Sequence, residues 1–378
     1  MKLTAKLKLQ PTSEQFDSLL ATLAEANRCC NAISKTAYRE KIFKRYALHQ
    51  LVYKESRRQC NLSAQMVVRA IGKVADSYKS GRQKQRGFSE RGAFPYDARI
   101  LSFKLEEQRV SIWTVAGRQQ IPYTGSRQAL ARLHGERGES DLCFVRGRFY
   151  LLVACAVETA EPLVVDEYLG VDMGIVNIAS DSDGQQYSGQ QLLGLRGRRY
   201  RQRKRLQGKG TKSARRVLRR LKGRERRMGQ QENHRIAKEI VSRAQRTGRG
   251  IAIEALGGIR DRVRVKRSQR RQLHGWSFYD LAQKIGYKAE LAGVPVRILD
   301  PAYSSQTCAA CHHCEKGNRL SQRHFRCRAC GHADNADSNA ARVLSGWAVH
   351  KPAVRLLSLI HISEPTRRNQ SSRMPSSA

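Results

Sequence analysis

Two Cys-x-x-Cys pairs, Cys308/Cys311 and Cys327/Cys330, stand fifteen residues apart in CAACHHCEKGNRLSQRHFRCRAC. This C-x2-C-x15-C-x2-C pattern has the spacing of tetrahedral zinc sites, in which each pair forms a tight knuckle and its two thiolates share one ion. A closed shell of four sulfurs leaves no open position for a substrate, so the expected Zn²⁺ is structural. Cys314, His312 and His313 are spare donors nearby. Zinc ribbons also occur in ribosomal and transcription proteins, and the clip alone names no function. Cys29, Cys30, Cys60, Cys143 and Cys155 read as buried reduced thiols, because free cysteine behaves as a small hydrophobe.

Charge narrows the partners. Seventy-one Lys and Arg against 32 Asp and Glu give a formal +39 over 378 residues, and a compact fold so charged repels itself unless a polyanion neutralises it. Nucleic acid is the expected partner, with counterion release as the driving force; a membrane surface fits less well. The longest apolar run, FYLLVACAV, is about half of the roughly 20 residues that a spanning helix needs, and it reads as a strand. MKLTAKLKLQ alternates polar and apolar residues and lacks the apolar core of a secretion signal. A cytoplasmic, nucleoid-associated protein of two or three modules is the expectation.

Along the chain, residues 2–9 read as a strand. PTSEQF offers a capping box with Thr12 as cap and Gln15 three residues on, and Phe16, Leu19, Leu20 and Leu23 follow on one helical face. Val67, Ile71, Val74 and Tyr78 repeat that spacing, so residues 11–85 are expected to be helical. SGRQKQRGFSERGAF is a connector. Period-two alternation then marks a β module over roughly 95–160: Leu101, Phe103 and Leu105 on one strand, Val110 and Ile112 on the next, and a hairpin turning at Arg146 and Gly147. Pairing of the opening strand with this module would make the helices an insertion into a small barrel. From Glu167 the order changes to a strand (YLGVDMGIVNIAS), a turn at Asp183-Gly184, long basic helices, a strand (GIAIEAL), a helix and a strand (VPVRILD), which implies an α/β sheet. No internal repeat is visible. The tail after about Leu356 has neither periodicity nor core.

Three acids stand out. Asp172 interrupts the apolar YLGVDMGIV, Glu254 ends GIAIEAL, and Asp337 follows the clip in DNADSNAARVL. A carboxylate in an apolar strand is costly unless a cation meets it. Mg²⁺ takes oxygen ligands, and a two-ion site about 4 Å across hydrolyses phosphodiesters. Each acid could instead cap a helix or pair with an arginine. Asp181, Asp183 and Asp300 read as turn and strand-end residues, and Asp334 competes with Asp337 on spacing alone. Between the first two acids, LRGRRYRQRKRLQGKGTKSARRVLRRLKGRERRMGQQENHR has too few acids to pair its cations, and it calls for phosphate contact. Arg198, Arg199, Arg201, Arg203 and Arg205 represent that surface. Trp113, Trp276 and Tyr303 could stack on bases, with core packing the simpler role for the tryptophans.

GVDMGIVNIAS, IAIEALGGIR, LDPAYSSQTCAAC and CRACGHADNADSNAA, with PTSEQF and WSFYDLAQKIGYKAELAGVPV, resemble the split RuvC-type motifs and zinc ribbon of TnpB, the transposon-encoded RNA-guided nuclease related to type V CRISPR effectors. The resemblance covers most of residues 1–345. It implies an α/β RNase H-like (RuvC) nuclease domain with an inserted zinc ribbon, plus a β-barrel wedge carrying a helical recognition insertion. In this chain that means a first wedge strand at 1–10, a helical recognition module at 11–90 and wedge barrel at 91–164. Nuclease motifs follow at 165–302, the ribbon at 303–331, the third motif at 332–350 and a disordered tail at 351–378. The catalytic and magnesium-binding set it implies is Asp172, Glu254 and Asp337, the last preferred over Asp334 because Asp337-Ser338-Asn339-Ala340-Ala341 matches a D-x-N-A-A element. His312 departs from the pattern where glycine is common. The implied activity is guide-RNA-directed cleavage of double-stranded DNA beside a short motif. A guide-dependent regulator that does not cut, and a transposase or resolvase of the same fold without a guide, are the alternatives.

Overall fold

The computed structural model describes residues 1–174, 177–221, 223–256, 278–321 and 323–353, and the chain divides into two compact units at Val157/Glu158. Trp276, and the tail beyond residue 353, lie outside the described residues.

In the first unit, β1 (Lys2–Leu9), β2 (Phe94–Tyr96), β3 (Leu101–Lys104), β4 (Arg109–Thr114), β5 (Gly117–Gly125), β6 (Arg137–Val145) and β7 (Arg148–Ala156) form one antiparallel sheet in the order β2-β6-β7-β1-β5-β4-β3. The opening strand is central, between β7 and β5, and its Leu3, Ala5, Leu7 and Leu9 are buried by strict alternation. The sheet curls into a nearly closed barrel: the Tyr96 hydroxyl on edge strand β2 donates to the Trp113 carbonyl on β4, beside the other edge, at 3.0 Å. Arg146 (φ 54°) and Gly147 (φ 77°) both sit in the left-handed region, the twist that a two-residue hairpin between right-twisted strands requires. β3 ends at Lys104, so Leu105 falls in the following turn, not on the strand.

Between β1 and β2 run α1 (Ser13–Arg39), α2 (Arg45–Gln59) and α3 (Ala64–Ser77). The capping box of Thr12 and Gln15 is present. Leu19, Leu23, Val67, Ile71, Val74 and Tyr78 are buried, while Phe16 and Leu20 lie partly buried against the same core. A feature the periodicity conceals is Lys73, buried and bonded through Nζ to Asn27 Oδ1 at 2.6 Å and to the Ala93 carbonyl at 2.8 Å. That cation ties the connector to the helices, since an unpaired buried ammonium would be prohibitive. Cys29, Cys30, Cys60 and Cys155 are buried thiols as expected; Cys143 is half-buried. A short helix, α4 (Arg127–Arg132), links β5 to β6.

The second unit holds β8 (Tyr168–Asp172), β9 (Asn177–Asp181), β10 (Gln186–Ser188), α5 (Gln190–Lys209), α6 (Lys212–Leu221), α7 (Arg224–Arg246), β11 (Gly250–Glu254), α8 (Phe278–Leu291), β12 (Val296–Leu299), β13 (His324–Arg326), β14 (Ala333–Asn335) and α9 (Ala336–His350). Among the described residues its main sheet has the order β10-β9-β8-β11-β12, with β8, β11 and β12 parallel and β9 and β10 antiparallel. This is the RNase H-like α/β arrangement. YLGVDMGIVNIAS is two strands and not one: β8 ends at Asp172 and the chain returns antiparallel as β9, pairing Asp172 with Ser180. An unbroken apolar pattern cannot reveal a hairpin whose two strands are both buried. Helix α9 lies so close to β8 that a Cβ on Gly170 would stand 1.9 Å from the Ala341 carbonyl, which is why a side chain is excluded there. None of the described helices is long and apolar enough to cross a membrane.

Candidate active site and metal centre

Asp172 and Glu254 are the last residues of adjacent parallel strands. The register pairs Val171 with Ile253, so the two acids emerge side by side at the same sheet edge, with strands about 4.8 Å apart. Asp337 arrives from the third direction, in the first turn of α9, whose cap is Asn335: the Asn335 side chain accepts from the backbone N–H of Asp337 at 3.0 Å and of Ser338 at 3.3 Å. That end of a helix favours negative charge.

Each acid is held. Ser304 Oγ donates to Glu254 Oε1 at 2.9 Å, Asn177 Nδ2 donates to Asp337 Oδ2 at 3.1 Å, and the Arg319 guanidinium stands 3.5 Å from Asp337 Oδ1. Burial first, then the charges of Glu254 and Asp337, push the Asp172 carboxyl well above the usual range, against the pull of Arg319. Burial likewise lifts Glu254 to about 7, opposed by its bonds with Ser304 and Asp172 and by Arg319. Among the described residues, one arginine against three carboxylates leaves a site short of positive charge and lined with oxygen donors, the character of a Mg²⁺ site.

The competing acids are engaged elsewhere. Asp334 pairs with Arg342 and accepts from the Asn335 N–H. Asp181 closes the β9–β10 turn through the Gln185 N–H at 2.9 Å, Asp183 takes both arms of Arg249 at 2.6 and 2.9 Å, and Asp300 accepts from Ala302 N at 3.0 Å.

The four clip cysteines converge. Among the described residues they are the one group of His, Cys, Asp or Glu whose ligand atoms all lie within 4.8 Å of one another. Cys308 Sγ is 3.7 Å from Cys330 Sγ, and Cys311 Sγ is 3.5 Å from Cys327 Sγ. Four thiolates about 2.3 Å from one ion have edges of about 3.8 Å, so the cluster is built to hold a metal. Cys314, His312 and His313 lie outside it. The knuckles are backbone copies of each other: Cys308 N bonds the His313 carbonyl as Cys327 N bonds that of His332, and His312 N bonds Cys308 O as Gly331 N bonds Cys327 O. N–H groups of Cys330 and Ala329 aimed at Cys327 pull its thiol down to about 6.

The equivalence explains the His312 departure. His312 (φ 62°) adopts the left-handed conformation that Gly331 (φ 74°) adopts in the second knuckle. His312→Gly is therefore expected to raise the melting temperature of the metal-loaded protein, corresponding to roughly 0.5 kcal/mol after the entropy of glycine in the unfolded chain is subtracted. A lowered melting temperature would refute that view of the turn.

The Asn of the D-x-N-A-A element joins clip and acids. Fully buried Asn339 donates to the Thr307 carbonyl at 2.8 Å and accepts from Ala309 N at 3.0 Å, pinning the first knuckle to the helix that carries Asp337. Of the five α5 arginines singled out in the sequence, Arg198, Arg201, Arg203 and Arg205 are exposed, with Arg203 also approaching Glu225 of α7 at 3.4 Å, whereas half-buried Arg199 bonds Gln202 at 2.7 Å.

Comparison with known proteins agrees with this geometry. Residues 278–344 match the family model for the Cas12f1-like TNB domain. Over 111 residues, 29% of this chain, the sequence is 49% identical to the CRISPR-associated endodeoxyribonuclease Cas12f1 of Sulfoacidibacillus thermotolerans. Over 118 residues, 30% of this chain, it is 32% identical to the TnpB-like protein MJ0751 of Methanocaldococcus jannaschii. The chain spans 25% and 41% of those relatives' own lengths. A Cas12f1 solved by cryo-EM with sgRNA and target DNA shares the fold, at a TM-score of 0.60 and 15% identity over 88% of this chain and 83% of that one. Residues 278–344 are thus similar to the Cas12f1-like TNB domain, and the chain shares the fold of Cas12f1. The residue pattern did not single out Arg319, Ser304 or Asn177, which the structure places at the acids. Only the serine carried a signal, its place in the YSSQTC run just before the first knuckle.

Proposed function

We propose that the protein is an RNA-guided DNA endonuclease in which Asp172, Glu254 and Asp337 are the catalytic acids. The observation that carries the proposal is the convergence of three carboxylates from β8, β11 and α9 on one sheet edge, with Arg319 the one compensating arginine among the described residues. These acids would hold Mg²⁺, which when bound activates water and stabilises the leaving oxygen of a phosphodiester. Ser304 and Asn177 orient Glu254 and Asp337, and Arg319 offers a guanidinium to a phosphate oxygen. Cys308, Cys311, Cys327 and Cys330 hold a structural Zn²⁺. Arg198, Arg201 and Arg205 face the nucleic acid. Residues 1–10 and 91–164 form the wedge and 11–90 the recognition module, gripping the guide RNA and reading the motif beside the target, in the cytoplasm of a prokaryote. The relatives' names and the basic α5 surface support that reading. Purified protein with its copurifying RNA should cut a matched duplex only with Mg²⁺, at a site that follows the guide; binding without cutting would overturn it.

The site also makes stability depend on pH. A carboxyl raised in the folded state stabilises below its unfolded pKa near 4, and that contribution is lost as pH climbs through the folded value, about 7 for Glu254. Without Mg²⁺, Glu254→Gln should match the wild type at about pH 4 and exceed it at pH 8 by on the order of 3 kcal/mol. Added Mg²⁺ should close the gap by stabilising the wild type. Equal denaturation midpoints at both pH values would contradict the burial of an ionised cluster.

A further inference from the structure

Beside the acids, the turn at residues 301–307, the first knuckle and the C-terminal half of α9 enclose an open cleft of about 560 Å³. We propose that it takes one unpaired base of the DNA strand being cut, stacked on Tyr303; this rests on the nuclease reading above. Tyr303 is 65% exposed and has φ 68°, a conformation that side chains rarely adopt. Its carbonyl accepts from Gln306 N at 3.0 Å, Thr307 N at 3.1 Å and Thr307 Oγ1 at 2.9 Å. The turn is thereby pinned with the ring held outward, while the next residue, Ser304, turns inward to Glu254 at 2.9 Å. Consecutive Cα atoms are 3.8 Å apart, so one turn carries the exposed ring on one side and the contact to Glu254 on the other.

The rest of the lining suits a polynucleotide. Among the described residues it carries His312, His350 and Lys351 and no acid. The Trp347 face is already covered by Lys351 Nζ, 3.1 Å from the ring centroid, which leaves Tyr303 as the open aromatic platform. Bases stack on such rings with little regard to sequence, and the same turn ties that platform to Glu254 through Ser304.

The test uses the full-length protein carrying Asp172→Asn, to prevent cutting, and a 12-nucleotide deoxythymidine strand containing one 2-aminopurine. Binding should quench the 2-aminopurine fluorescence. Tyr303→Ala should remove the quench and weaken binding roughly five- to hundredfold, Tyr303→Phe should restore both, and affinity for the copurifying RNA should not change. Full quenching by the alanine variant, absence of quenching in the unsubstituted Tyr303 protein, or a Tyr303-dependent quench with the equivalent RNA strand only, overturns the assignment. Cutting of guide-matched DNA by protein retaining Asp172 separates the two ideas. Cutting with Tyr303-independent quenching sinks the cleft alone, and Tyr303-dependent quenching without cutting sinks the catalytic reading alone.

Discussion

Protein carrying Asp172→Ala is expected to bind its guide RNA with unchanged affinity and to lose DNA cleavage by about a thousandfold or more, the scale on which single electrostatic groups act in water-excluded sites. The loss follows from position. Asp172 lies between Glu254 across the parallel ladder and Asp337 on the packed helix, and its elevated pKa comes from burial and from those two charges. Removing it relieves the repulsion that the cation is needed to balance, so the variant should also be more stable than the wild type in Mg²⁺-free buffer and gain little when Mg²⁺ is added. Asp334→Ala is the matched control. Its partner is Arg342, and cutting should persist. Cleavage retained by Asp172→Ala, or lost equally with Asp334→Ala, would show that the reaction centre lies elsewhere.

Stripping the clip should have the second large effect. Structural zinc contributes about 10–16 kcal/mol of apparent binding free energy in small zinc-dependent peptides, as much as the whole stability of an ordinary domain. Cys327→Ser, or treatment with a strong chelator, is expected to lower the melting temperature by more than about 10 °C and to abolish cutting together with the fold of the ribbon. The coupling is structural. Asn339 binds both the first knuckle and α9, Arg319 reaches Asp337 from the ribbon, and an unfolded ribbon releases both. One equivalent of zinc released on thiol modification, with no change for Cys314→Ser, would agree with the four-cysteine cluster. A chelated protein that melts and cuts as before would refute it.

Much of this was legible without coordinates, for local reasons. The capping box at Thr12, the alternation in β7 and the turn at Arg146-Gly147 are short-range patterns, each with its own steric or hydrogen-bonding cause. The cysteine spacing likewise encodes a knuckle in a few consecutive residues. Where two buried strands meet, as β8 and β9 do, apolar content alone could not locate the turn. Lys73 reads as a surface cation in sequence, yet it is buried, because its partners Asn27 and Ala93 lie 46 and 20 residues away.

The same distinction divides the candidate site. The residue order alone determined which acids were candidates, that four cysteines have the spacing of one metal clip, and that the chain carries a large excess of positive charge, since these depend on composition and short spacing. Only the tertiary structure decided that Asp337 and not Asp334 lies beside Asp172 and Glu254, that Arg319 and Ser304 attend them, and that α5 exposes Arg198, Arg201, Arg203 and Arg205 but not Arg199. Convergence of groups up to 165 residues apart is set by strand register and helix packing, and those are properties of the whole sheet, to which no single segment holds the key.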